Sequence, residues 1–381
     1  MTEIQPDTPQ ILQADDPGWG SAGESAYGSG APSDTTSLVS EVRAYVYENG
    51  RRYHAYSQGH YWAPNDGKQN EQLDIFHHVY SLVLDGNLHL APIGDHPQNI
   101  LDIGTGTGIW AIDMADTYPS ARIIGNDLSP IQPNWVPTNC QFEVDDFTKP
   151  WTYPRDSFDF IHARGVYGSV GSWPILLREA YARLKPGGWF ESVETTVAYF
   201  HDDGPRGEGQ LIPSDSPVYK WCQLGLEAGE RIGKPLDVAG KKEYKVLTGV
   251  WPKDSHMKDI GKYNLLNMLE AIEGFTIALF TRVLGWSLME TQVLLAQVRA
   301  ELTDKRNHFY FKMYVAYGQK PPVTGQEEGI DLRKREMRNT IPCDMKTARI
   351  PRSRYPRSPA LIVLPVTDPK PPPPTESYIP Y

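Results

Sequence analysis

The apolar run Asn99-Ile-Leu-Asp-Ile103 leads directly into Gly104-Thr-Gly-Thr-Gly108. A short apolar run of this kind reads as a buried strand. Glycines at every second position after it allow a sharp turn and a close backbone approach to a ligand. Ile109–Thr117 then has the pattern of a helix, whose N-terminus brings a partial positive charge to the loop. A strand, a glycine loop and a helix in this order place the chain among parallel α/β folds built around a nucleotide-type site.

The following segments keep the alternation. Ala121–Gly125, Gln141–Val144 and Phe158–His162 read as strands, Trp173–Leu184 as a helix, Lys185-Pro-Gly-Gly188 as a helix stop, and Trp189–Tyr199 as a fifth, long strand. Before them, Asn65-Asp-Gly67 reads as a turn and Asn70–Leu84 as a helix. After them the chain is more helical. Val218–Ile232, Lys258–Leu284 and Ser287–Arg306 have helical spacing, while Tyr244–Val250 and His308–Tyr317 read as strands.

The identity of the ligand follows from what the loop lacks and what precedes it. A dinucleotide fingerprint requires a third glycine five positions after the first, and that position is Ile109. A phosphate loop requires Gly-Lys-Ser/Thr, which is absent. Asp102, two residues before Gly104, would repel a pyrophosphate but suits the ammonium of a methionyl group. The pattern is therefore that of S-adenosylmethionine (SAM), with Asp102, Gly104, Thr105, Gly106 and Gly108 as the loop's cofactor residues. Asp127, followed by Leu128, closes the second strand, where a carboxylate can accept from both ribose hydroxyls or simply cap the next helix. Asp145, Asp146 and Phe147 follow the third strand, where an acid can accept from the adenine amino group and an aromatic ring can pack on the base. A solvated turn is the plainer alternative.

Leu101–Tyr118, Asp127-Leu-Ser-Pro-Ile-Gln-Pro133, Trp135-Val-Pro137, Phe158-Asp-Phe-Ile-His162 and Leu184-Lys-Pro-Gly-Gly-Trp189 resemble the fungal LaeA-like methyltransferases. So do Asn49-Gly-Arg-Arg-Tyr-His54, Gly249-Val-Trp-Pro-Lys-Asp254, Phe280-Thr-Arg-Val-Leu-Gly-Trp286 and Tyr317-Gly-Gln-Lys-Pro321. The resemblance implies an α/β, Rossmann-like class I methyltransferase with a seven-stranded sheet of order 3-2-1-4-5-7-6, the last strand antiparallel. It also implies an N-terminal lid segment and a helical insertion at about 200–306. The domain would span 42–321, between an acidic tail (1–41) and a Pro-rich, partly basic tail (322–381). One departure is Gln72, where many relatives carry an arginine. The family includes two kinds of protein. One is a tailoring enzyme that methylates a small natural product; the other is a regulator of secondary-metabolite gene clusters that works with velvet-domain partners.

Charge and composition narrow the alternatives. A net charge of −10 argues against direct nucleic-acid binding. Cys140, Cys222 and Cys343 lack metal-ligand spacing, so no metal is expected. The N-terminus lacks a secretory pattern and no apolar run spans a bilayer, so the expectation is a cytoplasmic or nuclear protein off the membrane. The basic run Arg333–Arg338 is a weak nuclear-signal candidate.

The acceptor side is less legible. His162 and Arg164 end the fourth strand and are the catalytic candidates, His162 as a base or cofactor contact and Arg164 as an anchor for an anionic acceptor. The plainer readings are a hydrogen bond from His162 to loop backbone and an ion pair from Arg164 to an acidic neighbour. Glu191 and Glu194 are three apart on one strand and so cannot share a face. His201-Asp-Asp203 is placed at the pocket mouth, His77-His78 on the surface or lid, and Tyr53, His54, Tyr56, Tyr61 and Trp62 in an aromatic cluster ahead of the core.

Overall fold

The computed structural model describes residues 45–54, 62–202, 209–236 and 242–322. It opens with a hairpin, β1 (Tyr45–Glu48) and β2 (Arg51–His54), which the sequence reading did not anticipate. Asn49 and Gly50 both have positive φ (51° and 75°), as a tight two-residue turn requires. Arg51 grips Asp66 through two hydrogen bonds of 2.6 and 2.9 Å. Asp66 in turn accepts the Gln69 N–H and caps helix α1 (Gly67–Val83). The cap starts the helix at Gly67 rather than Asn70, and the expected turn at 65–67 is its entry.

The core alternates as expected. In order come β3 (Asn99–Ile103), α2 (Ile109–Thr117), β4 (Arg122–Asp127), β5 (Cys140–Val144), β6 (Phe158–Arg164), α3 (Trp173–Arg183) and β7 (Leu184–His201). They are followed by α4 (Pro217–Arg231), β8 (Lys242–Thr248), α5 (Ser255–Ala278), α6 (Leu288–Thr303) and β9 (Phe309–Gln319). The seven strands lie in the order β5-β4-β3-β6-β7-β9-β8, with β9 antiparallel to both neighbours. Counted from β3, this is the expected 3-2-1-4-5-7-6.

Both faces of the sheet are covered. On β3, Ile100 packs with Trp110, Ala111 and Met114 of α2. Leu101 and Ile103, one pleat over, pack with Leu176 and Ala180 of α3. The third cluster joins the far end of the sheet to α1, α4, α5 and α6.

Two irregularities depart from the sequence reading. Lys185-Pro-Gly-Gly188 does not precede strand five but lies within β7, where the pairing with β6 shifts register. A second shift, between Thr195 and Tyr199, interrupts the pairing of β7 with β9. Among the described residues no helix is long and apolar enough to cross a membrane, and no group of three or more His, Cys, Asp or Glu side chains could hold a metal ion.

Candidate active site

The loop between β3 and α2 is set by tight contacts. Gly104 has φ of 67°, and a Cβ there would lie 2.8 Å from Val166 Cγ1. Gly108, with φ of 81°, caps α2 and lies against the Phe142 ring, which a Cβ would strike. Gly108 therefore shapes the loop from behind and is not among the residues lining the cavities described below.

Asp127, at the end of β4, accepts the Gly106 N–H at 2.9 Å on one oxygen and the Ser129 N–H at 3.0 Å on the other. Burial pushes its carboxyl up to about 6, against these hydrogen bonds. Asp102 is buried, and both its oxygens are engaged inside the protein. One accepts from Thr105 Oγ1 at 2.6 Å and the other from His162 Nδ1 at 2.8 Å.

His162 is 1% exposed and stacks on Trp110 with ring centroids 3.7 Å apart. Burial holds its imidazole below the usual range, and its Nε2 is buried with no hydrogen-bond partner among the described residues. It lines none of the cavities described below, so it is a strut beneath the loop and not a base open to an acceptor. Its partner is the Asp102 side chain rather than the loop backbone.

Three cavities meet around the C-terminal ends of the strands. The first is lined by Gly104, Asp127, Leu128, Asp146, Phe147 and Lys234, among others. The second runs along Gly104, Thr105, Gly106, Asp127, Tyr80 and Arg164. They share Gly104, Asp127, Gly165 and Ser169, and so form one groove bent around Asp127. The third, an apolar cavity, shares Trp62, Phe76, Tyr167 and Phe275 with the second and ends at Tyr199, Trp221 and Met268. The register shift in β7 forms part of its wall, since Thr195, Thr196 and Val197 line it. Bulges beside active sites commonly re-aim side chains in this way.

The remaining candidates separate. Asp146 is buried on the groove and accepts the N–H and hydroxyl of Thr148, whereas Asp145 accepts the Asp146 N–H and lies off the groove. Arg164 lines the groove, but no carboxylate pairs with it among the described residues, so the expected ion pair is not formed. Glu191 accepts the N–H groups of Leu90 and Ala91, and Glu194 those of Val166 and Tyr167. Neither is among the described residues lining these three cavities. His201 meets Phe309 edge-on and Asp202 pairs with Lys245, both away from the cavities. Asp203, Tyr56, Tyr61, both tails and Arg333–Arg338 lie outside the described residues. Of the aromatic cluster, Trp62 lines the cavity wall and donates to Gly168 O, while Tyr53 lies under the Arg282 guanidinium. His77 is not a surface residue. It joins Asp113 of α2 to Arg164 of β6. His78 stacks edge-on with Tyr263.

A doubly wound sheet in this order, with a glycine loop after its first core strand and an acid closing the second, defines a class I methyltransferase. A family model described as a methyltransferase domain matches residues 75–227. Methyltransferase pytC of Aspergillus terreus is 43% identical over 305 residues, covering 76% of this chain and 92% of that protein. The secondary metabolism regulator laeA of Aspergillus flavus is 36% identical over 318 residues, covering 77% and 83%. The protein-methionine methyltransferase laeA of Emericella nidulans is 34% identical over 314 residues, covering 77% and 81%. The chain belongs to the fungal LaeA-like family of class I methyltransferases, enzymes that use SAM.

Proposed function

We propose that the bent groove holds SAM and that the apolar cavity beside it receives a small natural-product acceptor. What supports this reading is the junction itself, where the groove meets an apolar cavity at four shared aromatic walls. In this reading Asp127 accepts the ribose hydroxyls, Leu128 packs beside them, Asp146 accepts the adenine amino group and Phe147 covers the base. The backbone of Gly104, Thr105 and Gly106 passes under the methionyl part. The tight packing of Gly104 against Val166 fits such a cradle, because a side chain there would fill it. Bound in the groove, SAM supplies an electrophilic methyl group.

The chain's own contribution is placement and exclusion of water. Trp62, Phe76, Tyr167 and Phe275 surround the junction and hold an acceptor in line. Among the described residues, no Asp, Glu, His, Lys or Cys lines the apolar cavity. The Tyr167 phenol is pushed up to about 12, chiefly by burial, and is a poor base. In this reading the acceptor is one that needs no base from these residues, either an acidic enol or phenol that ionises by itself or an atom with no proton to lose.

The relatives named as secondary metabolism regulators support a second reading, in which the protein regulates secondary metabolism; velvet-domain partners enter this reading only from the family resemblance. Comparing the metabolites of strains with and without the gene separates the two. Loss of one methyl from one compound supports the tailoring enzyme. Loss of many compound classes, with velvet-domain proteins recovered on the tagged chain, supports the regulator.

A further inference from the structure

Arg164 stands at the end of β6 with its guanidinium on the groove, beside Asp102, Gly104, Thr105 and Tyr80. Its contacts are unusual for a half-buried cation. Nη2 donates to His77 Nδ1 at 3.0 Å, and the guanidinium lies 4.6 Å from the centre of the Tyr80 ring. Burial holds its pKa below the usual range. A desolvated guanidinium without an anion is costly, and its planar donor fork is shaped for a carboxylate.

Behind it, His77 Nε2 lies 2.9 Å from Asp113 Oδ2. The carboxylate fixes the tautomer: Nε2–H donates to Asp113, which leaves the Nδ1 lone pair facing Arg164. The Asp113–His77 pair thus holds one side of the guanidinium and leaves the other donors to the groove.

We propose that Arg164 binds the α-carboxylate of the cofactor's methionyl group and that His77, oriented by Asp113, is its positioning residue. The proposal rests on the SAM reading above and fixes which way the cofactor lies in the groove, with the nucleoside toward Asp146 and the amino-acid end toward Arg164. It also removes Arg164 from acceptor binding, since Arg164 does not line the apolar cavity.

The test compares equilibrium binding of SAM and of decarboxylated SAM, which keeps the nucleoside, sulfonium and ammonium but lacks the carboxylate. The full-length protein should prefer SAM by roughly 10- to 100-fold, the scale of charge-assisted hydrogen bonds to a carboxylate. Arg164→Met should bind the two ligands alike, and Arg164→Lys should recover part of the preference. His77→Ala should weaken SAM while leaving the decarboxylated ligand unchanged, a split that a general loss of structure would not give. A folded Arg164→Met protein that keeps the full preference overturns the assignment, as does an unaltered protein that binds both ligands equally should Arg164→Met not fold. If the unaltered protein binds neither ligand, the cofactor reading itself fails.

Discussion

The Asp127 carboxylate accepts the Gly106 N–H at 2.9 Å, so the acid closing β4 and the middle glycine of the loop form one unit. Replacing this acid removes the proposed ribose acceptor and also frees the loop. Asp127→Ala should lower SAM affinity by roughly 10- to 100-fold, from the loss of charge-assisted hydrogen bonds. Calorimetry on the folded variant reads this directly, and unchanged affinity contradicts the ribose assignment.

The same group predicts a pH dependence of binding. Burial raises the Asp127 carboxyl to about 6, and protonation removes the charge and turns one of its oxygens into a donor, which weakens its hold on the hydroxyls. SAM affinity should therefore fall as pH drops through about 6. In Asp127→Asn that step should vanish, leaving weak binding across the range.

Two glycines with similar φ should respond differently to alanine. Gly108 (φ 81°) lies against the Phe142 ring, whereas Gly187 (φ 83°) faces open space. Gly187→Ala incurs only the strain of a left-handed backbone, about 1 kcal/mol. Gly108→Ala adds a steric clash in packed surroundings and should cost roughly 1–3 kcal/mol more. Denaturant unfolding of the two variants measures the difference.

Stability should also fall as the solution turns alkaline. Burial raises Glu191 to about 7 and Glu194 to about 8, above an unfolded value near 4.5. The folded state therefore holds protons that the unfolded chain releases. This contribution is complete below the unfolded value and is lost as pH rises through 7 and 8. A tenfold difference in proton affinity between folded and unfolded chain is worth about 1.4 kcal/mol, so the loss is on the order of several kcal/mol. Melting curves from pH 5 to 9 should decline, and the decline should flatten in the Glu191→Gln/Glu194→Gln variant.

A truncated chain of residues 42–321 should fold and bind SAM as the full chain does. A truncated chain that fails to fold would make one of the tails structural.

What could be read from the sequence was local. The strand leading into Gly104 and the acid at Asp127 are carried by runs of a few residues, and the sheet order came with the family resemblance. Asn49-Gly50 is likewise a local hairpin signal. The relationships that were missed link distant positions. His77, Asp113 and Arg164 come from three elements, and nothing in their separate surroundings marks them as partners. Gln72, the departure from the family pattern, is fully buried and donates to Asn267 of α5, which donates in turn to Asn264. Polar residues spaced three apart on both helices were the available sign, but only packing places them face to face. His162 misled because a histidine at a strand end resembles a base; its burial under Trp110 depends on how α2 lies over the sheet.

In the proposed reading one bent groove holds SAM, with its two ends fixed by Asp146 and Arg164. A crystal structure with S-adenosylhomocysteine bound tests it most directly. The expected result is adenine against Phe147, ribose hydroxyls on Asp127, the α-carboxylate on Arg164 and the sulfur facing the cavity walled by Tyr167 and Phe275. Density for the nucleoside outside this groove, or in the reversed direction along it, would contradict the claim.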